Sequence, residues 1–164
     1  MARDIFFERA LASGAALQAA INYDEAALGL CAGTVTPWTV AISAAGADLG
    51  RLVGYEGDAQ TILNMHHLKP DLSAKRGFEI TVFRVRDDLR AEHGRAGRLD
   101  AQVFAALERW LLKRGWRGSI VKLLKHTDPQ QVIPVREFWV KTLGFELILA
   151  EEGRWDEHVV KRWR

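Results

Sequence analysis

Arg90, Arg95 and Arg98 stand with Gly94 and Gly97 inside the stretch VRDDLRAEHGRAGRL, residues 85–99. Here charge, backbone freedom and a change of hydrophobic period coincide. Before the stretch, Phe78, Ile80 and Val82 alternate with Glu79, Thr81 and Phe83, which is strand spacing. After it, Leu99, Val103, Phe104, Leu107, Trp110 and Leu111 recur at helical spacing. A strand that passes through a basic, glycine-containing loop into a helix can hold phosphate. Glycine lets the backbone turn and approach closely. The first helical amides have no internal partner and point outward as donors, and guanidinium groups add charge-assisted bonds. His93 can bond phosphate from within the same loop. A glycine-rich turn alone carries little specificity, and these residues read equally as a solvated strand-to-helix turn.

Other groups with chemical capacity are scattered. Glu79 lies on the face of its strand opposite Phe78 and Ile80. It is either a solvated glutamate or, if burial raises its pKa, a general base. His66 and His67 are adjacent in a loop, a spacing that points them apart on a helix and does not suit a shared metal. No metal site is expected. Either histidine, or His126 at the end of a strand, could contact substrate or simply lie on the surface. Cys31 reads as a small core residue.

The elements that must position these groups belong to one domain, residues 1–164, long enough to bury a core. The formal charge of +2 gives no polyanion-binding signal in the total. The local run Arg84, Arg86, Arg90, Arg95 and Arg98 is more telling. It lacks the aromatic interleaving of a nucleic-acid surface, so no nucleic-acid partner is expected. The single cysteine fits a reducing compartment. No secretory signal or membrane span is read from the sequence, which makes a cytoplasmic protein the expectation. Trp155 and Trp163 would mark a self-association edge, and hence a homodimer, if exposed.

In chain order, residues 4–21 read as a helix and 24–30 as a second short one, so residues 1–35 form a helical N-terminal part. Trp38–Ser43 and Arg51–Glu56 read as a hairpin around Ala45–Asp48. A short helix is expected over Ala59–His66. The central strand, loop and helix follow, the helix ending near Lys113 with Gly115 as terminator. Ser119–Lys125 reads as a buried strand, Ile133–Thr142 as a helix, and residues 145–149 and 158–163 as a closing antiparallel pair.

This order resembles the GNAT family of acyl-CoA-dependent N-acyltransferases. The resemblance spans residues 36–164. It is carried by EFWVKTLGFELI (Glu137–Ile148), by the loop from Val85 to Leu99, and by the closing strand HVVKRW (His158–Trp163). It implies an α+β fold whose mixed central sheet splays into a V, with helices on both faces. It also implies acetyl-CoA as co-substrate and transfer of its acetyl group by direct attack of an amine on a small molecule or peptide. Pantetheine would pair with the backbone of Phe83, Arg84 and Val85. The pyrophosphate would sit on Arg90, His93, Gly94, Arg95, Ala96, Gly97 and Arg98. Trp139 and Val140 would flank the thioester, and Glu79 would serve as base. The chain departs from the family pattern at three points. Arg90 is followed three residues later by His93 where the family has glycine. Val140, or Trp139 if the alignment slides by one, stands where many members place an acidic tyrosine. The chain also reads as starting with helix where the family opens with a strand. These departures define the alternative, a binding or structural module with little or no catalysis.

Overall fold

The computed structural model describes residues 3–24, 28–30, 33–65, 76–88, 98–116, 118–124, 136–149 and 157–163. Its strands are β1 (Asp4–Ala10), β2 (Ala16–Tyr23), β3 (Leu28–Leu30), β4 (Gly33–Ala44), β5 (Ala47–Asp58), β6 (Arg76–Val85), β7 (Gly118–Leu124), β8 (Glu146–Leu149) and β9 (Glu157–Trp163). The helices α1 (Ala59–Met65) and α2 (Leu99–Lys113) lie among the described residues, with a π-helical turn at Phe138–Thr142. All strands belong to one mixed sheet of order β1-β2-β4-β5-β6-β7-β9-β8, with β3 beside β4.

The N-terminal part is strand, not helix. Helix-forming residues such as Leu17, Ala19 and Ala20 lie in β2 between β1 and β4, where Ala19 pairs with Ile42 and Ala20 with Ala41. All three are fully buried, small enough to fit between two neighbouring strands. The reversal between β1 and β2 is set by Gly14, at φ 84°. Its amide bonds Leu11 O, and Leu11's amide bonds Ala15 O. Pairing partners have overridden local helix propensity. Leu28–Leu30 is likewise strand, paired with β4.

Several other expectations hold, while the helix expected over Ile133–Thr142 is a π-helical turn in its described part, Phe138–Thr142. Ala45 and Gly46, both at positive φ, make the tight β4–β5 turn. Asp58 caps α1, its Oδ2 accepting the Thr61 amide at 2.9 Å. Gly115, at φ 77°, ends α2, and the Trp116 amide returns to Leu111 O.

The helices cover opposite faces. A Cβ on Gly77 would meet Ile62 of α1, so α1 lies on the Gly77 face of β6. On the other face Phe78 stacks on Trp38 at 4.4 Å and meets Trp116 edge-on, just beyond α2. The buried side of α2 (Leu99, Val103, Phe104, Leu107 and Leu111) joins that core.

Candidate active site

The corner between β6 and α2 owes its shape to register. β6 pairs in parallel with β7 only from Gly77↔Ser119 to Ile80↔Lys122. Beyond that both strands continue but part, β7 staying with β9 and β6 with β5. The parting coincides with a bulge. On the β5 side Gly54 faces Ile80 and Val53 faces Val82, leaving Thr81 out of register. A simple alternation puts Phe83 with Glu79. The extra residue instead moves Phe83 to the face of Phe78 and Ile80, and Val82 to the face of Glu79. Gly54 is required here. A Cβ there would collide with the Glu79 carbonyl and lie 2.6 Å from the Trp38 ring.

Past the bulge, the backbone of Phe83, Arg84 and Val85 pairs, among the described residues, with β5 alone, so its other edge lies on the side where β7 has parted. Val85 is buried and Arg84 exposed. Phe83 packs edge-on against Trp139 at 5.8 Å and Phe138 at 6.3 Å. Trp139 is 3% exposed and also meets Phe104 and Phe145. It therefore forms a wall between β6 and α2. The π-helical turn carries it there, with the Leu143 amide reaching back to Phe138 O and the Phe145 amide to Trp139 O. Such single π turns are frequent at functional sites. Val140, next to it, is half-buried.

At the start of α2, Arg98 is extended and does not cap the helix through its side chain. Its guanidinium grips Asp100 with both arms, at 3.1 and 2.7 Å, and lies 4.4 Å from the centre of the Phe138 ring. Asp100 is 3% exposed, and its Oδ1 also accepts the Ala101 amide. The positive end of the helix thus already holds one carboxylate, a feature the sequence reading missed. Its signal was an acid two residues after the last loop arginine. The pyrophosphate candidates Arg90, His93, Gly94, Arg95, Ala96 and Gly97 lie outside the described residues, as do His66, His67, His126, Cys31 and Trp155.

Glu79 sits just before the bulge, 3% exposed. The Thr81 hydroxyl stands 3.5 Å from its Oε1. Tyr55 on β5 is its direct cross-strand partner. Remoteness in sequence hid this tyrosine, and only the β5–β6 register brings it beside the carboxylate.

The opposite end of β6 is closed. Tyr23, Glu56, Arg76, Arg114 and Trp116 line a cavity of about 310 Å³ below α2. Glu56 receives the Tyr23 hydroxyl and an ion pair from Arg76. Burial, and then the Glu56 carboxylate, push the Tyr23 hydroxyl well above the usual tyrosine range. Arg114 stacks on Trp110 at 4.6 Å and pairs with Asp4 at 3.3 Å.

No protein-family model matches the sequence, and neither does any curated protein sequence. Solved structures do match in fold. Drosophila melanogaster polyamine N-acetyltransferase, which forms N-acetylagmatine, aligns with a TM-score of 0.51 at 11% identity, over 76% of this chain and 74% of that one. A GNAT-family protein from Desulfovibrio desulfuricans aligns at 0.48 and 13% identity, over 78% and 69%. Arabidopsis thaliana Naa50, in complex with the bisubstrate analogue CoA-Ac-MVNAL, aligns at 0.45 and 13%, over 76% and 72%.

Proposed function

We propose that this chain, which has the α+β fold of the GNAT acetyltransferases, is an acyl-CoA-dependent N-acyltransferase acting on an amine. The observation that carries the reading is the parting of β6 from β7 after Ile80, which among the described residues leaves one backbone edge without a strand neighbour beside an aromatic wall. The fit to acetyl-CoA rests on that edge and on the basic loop leading to Arg98. When bound, acetyl-CoA would supply the thioester carbonyl. The chain's own residues would do the rest. The backbone of Phe83–Val85 would pair with pantetheine, and the loop from Arg90 to Arg98 would take the pyrophosphate. Phe83 and Trp139 would keep water from the reacting carbon. Glu79 would accept the amine proton as the new N–C bond forms and the C–S bond breaks. The departing sulfur would take a proton from solvent or the ammonium, since the indole N–H of Trp139 is far too weak an acid to supply one and Val140 has no acidic proton.

A second reading has its own observation. Asp100 already occupies the first turn of α2 and engages Arg98. That supports a binding module with weak or absent catalysis.

Titration with acetyl-CoA decides between no binding and the two readings above. Saturation at 100 times the dissociation constant adds about 2.7 kcal/mol of stability. Arg95→Glu should weaken binding at least tenfold if one charge-assisted contact of about 1.5 kcal/mol or more is lost. Absence of any acetyl-CoA-induced stabilisation removes the acyltransferase reading. Binding without amine-dependent release of free thiol leaves the module reading. If turnover occurs, Glu79→Gln should slow it on the order of 100- to 10,000-fold with little change in acetyl-CoA affinity. Full turnover in that variant excludes Glu79 as base.

A further inference from the structure

The sheet face turned away from α2 carries a graded series of side chains. Going from the closed end of β6 to the open one, Tyr55 stands opposite Glu79, Val53 opposite Val82, and Arg51 opposite Arg84. With Thr81 out of register, all six share one face. Their exposure rises in the same order. Glu79 is buried, Tyr55, Val53 and Val82 are half-buried, and Arg51 and Arg84 are exposed. A carboxylate, an apolar step and two guanidiniums therefore follow one another across the surface.

The two arginines are set apart by standing directly opposite each other; the exposed Arg3 and Arg109 share their lack of a partner among the described residues. Like charges directly opposite on neighbouring strands lower stability. Among the described residues neither guanidinium has an ion-pair or hydrogen-bond partner, whereas Arg76, Arg86, Arg98, Arg114 and Arg162 each have a carboxylate. Both line an open depression of about 560 Å³ that also includes Arg86, Asp48 and Asp87. Arg86 is paired with Asp88, and Asp48 accepts the Gly50 amide at 3.1 Å.

We infer that this face binds an amine acceptor carrying a carboxylate or phosphate at its far end, with Arg51 and Arg84 clamping the anion. The inference rests on the acyltransferase reading and names the acceptor class for it. The amine lies at Glu79, the acceptor's apolar middle crosses Val53 and Val82, and the anion meets both guanidiniums. From Tyr55 to Arg51 the strand advances about 13 Å, at ~3.3 Å per residue. This sets the upper scale for the amine-to-anion span. Terminal amino acids with an alkyl spacer and short acidic peptides fit, and polyamines do not. In the transfer itself the acceptor nitrogen gains the acetyl carbon, the C–S bond breaks, and the amine proton passes to Glu79.

The test compares two probes of equal chain length, aminooctanoate with its amine at the far end and octylamine. The first readout is binding by calorimetry to the full chain, with and without saturating acetyl-CoA. Aminooctanoate is expected to bind at least about tenfold tighter, the scale of one charge-assisted contact, and the preference shrinks as salt rises. Arg51→Gln and Arg84→Gln each abolish the preference. Any turnover change appears in KM rather than kcat. Arg51→Gln raises the melting temperature by ~1–2 °C because the like-charge contact is gone, which also shows that the variant folds. Equal binding of both probes to the wild type overturns the proposal, as does a preference that survives in both variants. If the variants lose affinity for CoA but not for dephospho-CoA, the clamp serves the nucleotide phosphate, and the acceptor assignment falls. Failure of acetyl-CoA to bind sinks the acyltransferase reading alone. The clamp is then judged by the two probes without cofactor, and equal binding there overturns it too.

Discussion

The two ends of β6 hold arginines in opposite circumstances. At the closed end, Arg76 is tied to Glu56, which also receives the Tyr23 hydroxyl, and β6 has neighbours on both sides. At the open end, Arg84 faces Arg51 across the strand pair with no carboxylate among the described residues bound to either, and β6 has lost β7. Polar groups satisfied within the chain stiffen it. Groups left to solvent are available to a ligand and stabilise little until one arrives. The closed end should therefore report in stability and the open end in affinity.

The comparison breaks most visibly at the hinge between the two ends. Gly54→Val drives a side chain into the Glu79 carbonyl and the Trp38 ring. It is expected to lower stability by about 3 kcal/mol or more, seen as a collapse of the urea midpoint. A near-wild-type midpoint would mean that the bulge is not the fixed point described here. Next comes the closed end. Glu56→Gln leaves Arg76 without its carboxylate and weakens the acceptor for Tyr23. The expected loss is about 1–2 kcal/mol, with acetyl-CoA affinity unchanged. Tyr23→Phe removes one hydrogen bond and should cost about 1 kcal/mol near neutral pH. Its pH signature is more specific. The folded hydroxyl titrates above the unfolded value of about 10. Its contribution is therefore complete below about pH 10 and is lost as pH rises toward the folded pKa. The wild-type urea midpoint should fall across that alkaline limb more steeply than that of Tyr23→Phe. The smallest stability effect belongs to the open end. Asp100→Asn removes a negative charge from the first turn of α2, worth about 0.3–1 kcal/mol. It also releases Arg98, so acetyl-CoA affinity should rise as stability falls. Opposite signs from one substitution would sharpen the contrast, and a parallel loss of both would erase it.

How much of this was legible beforehand differs between elements. The alternation of Trp38, Val40 and Ile42, the stripe on α2 and the terminator Gly115 are local signals, and each is where the sequence puts it. The N-terminal strands were hidden because alanine and leucine favour helix locally, while Ala19 and Ala20 are held by partners more than 20 residues away in β4. The site divides in the same manner. Glu79 and Phe83 were visible as strand residues. The face of Glu79, opposite Phe78 and Ile80, was legible too, but that of Phe83 was not, because a bulge at Thr81 is a property of pairing with β5. Tyr55 beside Glu79 and Arg51 beside Arg84 come from that same register, which no local pattern encodes. The Arg98–Asp100 grip was hidden for a different reason, since the pair reads equally as a loop arginine and a helix-capping acid.

The order β7-β9-β8 bears on how the molecule assembles during synthesis. β8 is translated before β9, yet β9 is its only strand neighbour among the described residues and separates it from β7. As the chain leaves the ribosome, β8 lacks its described strand partner until β9 emerges and slots in beside β7. Completion of the C-terminal half must therefore wait for β9, while the N-terminal hairpins are free to form early from near neighbours.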